Sequence, residues 1–134
     1  MTLIDAGPLV ALFRPEDAHH LRCRRFFRTL VEPPVTVWPV VTEAMYLLSY
    51  SWKAQDALTE TLETGAVLLL TLEDQDIPRL RQLMRKYQDL PMDFADAALV
   101  CAAENRKISR VFTLDVRDFR IYTARGVGRF EVLP

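Results

Sequence analysis

Short apolar runs alternate with amphipathic stretches along the whole chain, and this alternation constrains the fold more than any other feature. The runs are Thr2-Leu3-Ile4, Val35-Thr36-Val37, Ala66 to Thr71, Val111-Phe112-Thr113-Leu114 and Phe130-Glu131-Val132-Leu133. Each is too short for a helix of ordinary length and is rich in β-branched or bulky apolar residues, so each reads as a strand. Because the segments between them carry helical spacing, the strands cannot be joined by tight hairpins. Strands alternating with helices predict an α/β fold, a parallel, Rossmann-like sheet of four to five strands flanked by helices on both faces. Within the third run, Val67-Leu68-Leu69-Leu70 has no polar alternation, which suits a strand covered on both faces.

The connecting segments have recognisable ends. Gly7-Pro8 turns the chain after Asp5 into a short helix over Leu9–Phe13, with Pro8 at its first position. From Glu16 to Val31, an apolar stripe of Ala18, Leu21, Phe26, Phe27 and Leu30 opposes a face of arginines, and Pro33-Pro34 stops the helix. Pro39 opens a helix to about Tyr50, and another runs from about Lys53 to Thr64 before Gly65 ends it. Ile77, Leu80, Met84 and Tyr87 mark the next stripe, which Asp89-Leu90-Pro91 terminates. Asp93 to about Lys107 is a helix of small residues, Ala95, Ala97, Ala98, Ala102 and Ala103, able to pack close to a sheet and so expected at the centre. Asp115 to about Ala124 is expected to hold a short helix or turn.

With 134 residues and half of them apolar, the chain suits one domain, 1–134, with a real core. No apolar run approaches the roughly 18–20 residues that span a bilayer, and the start is strand-like rather than leader-like, so a soluble, cytoplasmic protein without membrane association is expected. Cys23 and Cys101 stand without CxxC spacing or a partnering His and are expected as buried thiols. The net charge of -1 argues against a wholly basic nucleic-acid binder, yet the charges are segregated. Arg22, Arg24, Arg25 and Arg28 cluster early and Arg117, Arg120, Arg125 and Arg129 late, while Asp56 to Asp76 holds no basic residue. Arg grips phosphate bidentately, so Arg24, Arg25 and Arg117 are candidates for contact with a nucleic-acid backbone; solvated helix faces explain such clusters as well.

Several carboxylates are awkward for structure alone. Asp5 and Asp115 each end an apolar run, so in a parallel sheet they emerge at the same edge, where open α/β sheets build sites. Each could equally be a turn or cap residue. Glu43 lies in Val40-Val41-Thr42-Glu43-Ala44-Met45-Tyr46-Leu47-Leu48, with Val40 and Leu47 on its helical face, and a charge there needs an Arg or a shared cation. Asp93 and Asp96 open the small-residue helix on one face, where Asp93 can cap and Asp96 can favour the helix dipole. Capping and ligation are compatible. Acidic groups converging without compensation repel one another, and oxygen ligands without His or Cys suit Mg2+ or Mn2+. Carboxylate-held metal hydrolyses phosphodiesters without a Ser, Cys or His nucleophile, and none is evident; His19-His20 read as surface residues.

These segments together resemble the PIN-domain family, and most closely the VapC-like ribonuclease toxins of toxin-antitoxin pairs. Leu3-Ile4-Asp5-Ala6-Gly7-Pro8-Leu9-Val10-Ala11-Leu12 is similar to the family's first motif, whose metal-binding Asp maps onto Asp5. Thr42-Glu43-Ala44 resembles the second, with Glu43 as the acidic ligand. Asp93-Phe94-Ala95-Asp96-Ala97-Ala98-Leu99-Val100 resembles the third, with Asp96 as ligand and Asp93 auxiliary. Phe112-Thr113-Leu114-Asp115-Val116-Arg117-Asp118-Phe119 resembles the fourth, with Asp115 as ligand, Asp118 a second candidate and Thr113 the family's small hydroxyl. The resemblance implies Asp5, Glu43, Asp96 and Asp115 as the catalytic, metal-binding set, Mg2+- or Mn2+-dependent endoribonuclease activity, a homodimer, and a small antitoxin as partner.

Two other readings compete. A haloacid-dehalogenase or receiver-like phosphotransfer domain also uses an Asp at the end of its first strand. A dehalogenase, however, wants a second Asp where Gly7 stands, and both folds want a catalytic Lys that is not evident. A PIN fold kept for binding or RNA processing without cleavage would have less reason to retain all the acidic positions.

Overall fold

Parallel pairing dominates the computed structural model, which describes residues 1–134. The strands β1 (Thr2–Ile4), β2 (Val35–Thr36), β3 (Leu68–Leu69), β4 (Arg110–Phe112) and β7 (Glu131–Leu133) form one sheet in the order β3-β2-β1-β4-β7. All four pairings are parallel, with Leu3 opposite Val35 and Val111, and Val111 opposite Val132. Chain order and sheet order therefore diverge on either side of β1, the switch-point arrangement expected of an open α/β sheet. The helices are α1 (Ala6–Phe13), α2 (His20–Thr29), α3 (Trp38–Leu47), α4 (Trp52–Glu63), α5 (Ile77–Lys86), α6 (Phe94–Arg106) and α7 (Val116–Ile121).

Thirty-five buried apolar residues make one connected core. Helix α6 lies in it, buried without a break from Ala95 to Ala103, and packs against both α3 and α5. Its alanines allow that close approach on both sides. Within the sheet, Phe112 of β4 is fully buried, its ring meeting Phe26 of α2 edge to face at 4.7 Å. Lys107, at φ 58, closes α6 in the left-handed conformation, and Gly65, at φ 80, follows the end of α4 as expected. Both cysteines are buried and free.

The structure corrects several local expectations. Helix α1 begins at Ala6 rather than Leu9, because Asp5 caps it. Strand β3 pairs over two residues only, at a sheet edge, and it is not covered on both faces, since Val67 and Leu70 are buried but Leu68 is 45% exposed. Helix α2 starts at His20 and buries Cys23, with Phe26 and Phe27 half-buried, while Ala18 and Leu21 face solvent. In α5, Leu83 replaces Ile77 in the buried stripe. After α7 the chain forms an unexpected antiparallel hairpin, β5 (Thr123–Ala124) with β6 (Gly128–Arg129). Gly126 and Gly128, both at positive φ, make its tight reversal possible.

Candidate metal centre

The parallel pairing of β1 with β4 sets the site. Ile4 stands opposite Phe112, and the Asp5 amide donates to the Phe112 carbonyl at 3.0 Å, so the chain leaves both strands side by side. Asp5 is 7% exposed, and both of its carboxylate oxygens are held: the Ala6 amide donates to Oδ1 and the Thr113 hydroxyl to Oδ2, each at 2.8 Å. Thr113 also accepts from the Asp115 amide at 3.0 Å, so one hydroxyl ties the ends of the two strands together. Asp115 heads α7 but makes no side-chain cap. Asp5, by contrast, both caps α1 and lines the cleft.

Two helices bring the other acids. Asp93 caps α6, its Oδ1 accepting from the Asp96 amide at 2.8 Å, and Asp96 follows within the first turn at 7% exposure. Glu43 comes half-buried from α3, which packs against α6. Asp5, Glu43, Asp93, Asp96 and Asp115 line one cleft of about 400 Å³, together with Ala6, Gly7, Leu47 and Leu114. Asp118 does not line it, but its carboxylate lies within 4.8 Å of those of Asp96 and Asp115. It stands on α7, within its first turn.

No basic side chain lines the cleft, and none of the ion pairs in the protein includes one of its carboxylates. The Arg partner considered for Glu43 is therefore absent. Burial raises Asp5 to about 6, helped by the charges of Asp93 and Asp115 and opposed by the bonds from Thr113 and Ala6. Asp96 goes up to about 8, through burial first and then the charges of Asp5 and Asp93. Glu43 is raised by burial and by Asp93, and Asp115 by burial and by Asp118. A crowd of carboxylate oxygens that resists ionising and has no counter-charge is a donor set that fits a hard divalent cation.

The arginines proposed from sequence are dispersed. Arg24 borders a separate cavity with Leu12, Phe13 and His20, at the far end of α1 from Asp5, roughly 12 Å along the helix. Arg25 is exposed on α2, and Arg117 is exposed on α7, two residues beyond Asp115. His19 is exposed as expected, but His20 is half-buried and its Nδ1 meets the Ala11 carbonyl at 2.7 Å. Sequence reasoning missed Tyr122. Its hydroxyl donates to Asp96 Oδ2 at 2.8 Å across the core, a pairing over 26 residues that no local pattern announces.

Comparison with known proteins identifies the family and the fold. The family model for the PIN domain matches residues 2–124. Ribonuclease VapC26 of Mycobacterium tuberculosis is 30% identical over 134 residues, covering 98% of this chain and 99% of its own. Among solved structures, M. tuberculosis VapC20, described as a sarcin-ricin loop cleaving toxin, superposes with a TM-score of 0.80 at 16% identity, covering 87% of this chain and 92% of its own. VapBC2 from Rickettsia felis, solved bound to a DNA fragment from its promoter, gives a TM-score of 0.66 at 10% identity over 99% and 98%. The fold, the motif order and a match across nearly the whole chain agree: the protein belongs to the PIN-domain family, and its relatives are VapC proteins.

Proposed function

We propose that this chain is a divalent-metal-dependent endoribonuclease that hydrolyses RNA phosphodiester bonds and acts as the toxin of a VapBC-like pair. The observation that carries the reading is the convergence of carboxylates from β1, α3, α6 and the β4–α7 junction on one cleft without a compensating cation. In this reading Asp5, Glu43, Asp96 and Asp115 hold Mg2+ or Mn2+, and Asp93 and Asp118 are auxiliary. Bound there, such a cation supplies Lewis acidity at the phosphate and an acidified water. The protein's own part is orientation. Thr113 and the Ala6 amide fix the Asp5 carboxylate, Asp93 fixes the start of α6, and Leu47 and Leu114 form the apolar part of the cleft wall.

The ribonuclease name of a relative 30% identical over nearly the full length supports RNA as substrate, and the fold shared with VapBC2 is consistent with a small antitoxin as partner. Residues 1–134 act as one domain in this reading, as a cytoplasmic homodimer. Arg24, Arg25 and Arg117 contribute to RNA binding away from the reacting phosphate. The direct test is cleavage of an RNA substrate by the purified chain in Mn2+ and in EDTA. Cleavage in Mn2+ alone is expected, and a folded, Mn2+-loaded protein that binds RNA but never cuts it would indicate the binding-module alternative.

A further inference from the structure

Tyr122 is fully buried, yet its hydroxyl is spent on a carboxylate at the mouth of a cleft rather than on a nearby backbone carbonyl. We infer that Tyr122 is a positioning residue for the metal centre: its hydroxyl, donating to Asp96 Oδ2, fixes the Asp96 carboxylate so that the other oxygen is presented to the cation. The inference rests on the reading of Asp96 as a ligand.

The ring is held on several sides. Tyr87 and Phe119 meet it edge to face at 5.0 and 5.1 Å, and its amide donates to the Asp118 carbonyl at 3.0 Å. The next residue begins the β5–β6 hairpin, whose first amide, that of Thr123, donates to the Tyr87 hydroxyl at 3.0 Å, and β5 packs against α6. A phenol locked this way has its hydroxyl oxygen fixed against Asp96. The other side-chain bond at this end of α6 runs from the Asp96 amide to Asp93 Oδ1, so Tyr122 is the one protein donor to the Asp96 carboxylate. The geometry parallels that of Asp5, which Thr113 holds by one oxygen. Partners that orient a ligating carboxylate change metal affinity or activity by about 10–100-fold when removed.

Calorimetric titration of the full chain with Mn2+ tests this, using wild type, Tyr122→Phe, Tyr87→Phe and Asp96→Asn, with metal-free melting measured on each. Tyr122→Phe keeps the ring and is expected to bind Mn2+ about tenfold more weakly. Its RNA cleavage should recover as Mn2+ is raised. Tyr87→Phe removes a bond behind Tyr122 without touching Asp96, and should melt earlier while weakening Mn2+ binding less than Tyr122→Phe does. Wild-type affinity in a folded Tyr122→Phe protein, alongside weakened binding by Asp96→Asn, overturns the role of Tyr122 and leaves the metal centre standing. Undiminished binding by Asp96→Asn, or no binding by wild type, overturns both. Should Tyr122→Phe fail to fold, the near-ultraviolet difference spectrum of wild type on Mg2+ addition decides. A tyrosine perturbation that persists in Tyr87→Phe and vanishes in Asp96→Asn is expected, and its absence in wild type overturns the inference.

Discussion

Replacing Asp96 by Asn separates the two roles of this residue, because the amide keeps the shape and the acceptor for Tyr122 while removing the charge. The helix start is capped by Asp93 and is untouched. In the metal-free protein, raising the carboxyl from 3.8 to about 8 sets the cost of ionising it on the order of 5 kcal/mol, at about 1.36 kcal/mol per pH unit. Water entering from the cleft screens this to on the order of 2 kcal/mol. The sign follows from proton binding: the folded state holds this proton more tightly than the unfolded chain, so metal-free stability falls as pH rises from about 4 to about 8. Asn carries no such penalty. The variant should therefore melt above wild type in EDTA by roughly 6 °C near pH 8, taking about 3 °C per kcal/mol for a chain of this size. Toward about pH 4 the two should converge, since Asp96 is then neutral in folded and unfolded states alike. In Mn2+ the ranking reverses, because wild type gains binding free energy that the variant has largely lost. Cleavage of RNA should fall by about 10²–10³-fold, the scale of losing one preorganised electrostatic group. Melting and cleavage are to be measured on the same preparation, with wild type cleaving in Mn2+ as the positive control. A folded Asp96→Asn protein that cleaves at the wild-type rate refutes the four-carboxylate mechanism, and a melting gap independent of pH refutes the electrostatic account of its stability.

Mg2+ or Mn2+ should raise the wild-type melting temperature and EDTA should reverse the gain; calorimetry that detects no binding at millimolar metal would count against the site. Thr113→Val strips the Asp5 carboxylate and the Asp115 amide of a shared partner, and urea unfolding should register a loss of about 1–3 kcal/mol together with weaker Mn2+ binding. Arg24→Ala with Arg25→Ala should weaken RNA binding and flatten its log–log salt slope by about 1.5 while turnover at saturating RNA survives; an unchanged slope would place these arginines at plain surface or a protein interface. Phe112→Ala empties a fully buried position within the sheet and should cost about 3–5 kcal/mol in the same urea assay, with a smaller loss pointing to collapse of the cavity.

Much of the fold is local, and so is legible from residues alone. Apolar runs of strand length, helix stops at Pro33-Pro34 and Gly65, and the alanine run of α6 determine a parallel sheet wrapped by helices. The edges of that picture misled because burial depends on neighbours. Leu68 looks like a core residue but belongs to a two-residue edge strand, and Ile77 opens a stripe that the core meets only from one turn later, at Leu80 and Leu83. The hairpin after α7 carries almost no apolar alternation, so only its glycines hinted at it.

The candidate site divides in the same way. Asp5, Glu43, Asp96 and Asp115 could be named because charge in apolar surroundings or at strand ends is costly, and that cost shows in sequence. Their convergence could not: it follows from β1 pairing with β4 and from α3 meeting α6, contacts between residues far apart in the chain. Tertiary structure alone decided that no arginine reaches Glu43, that Arg24 stands at the other end of α1, and that Tyr122 rather than a local cap holds the Asp96 carboxylate. The physical reason is that a hydrogen bond to a buried oxygen is set by where two elements pack, and sequence spacing constrains only what lies within one of them.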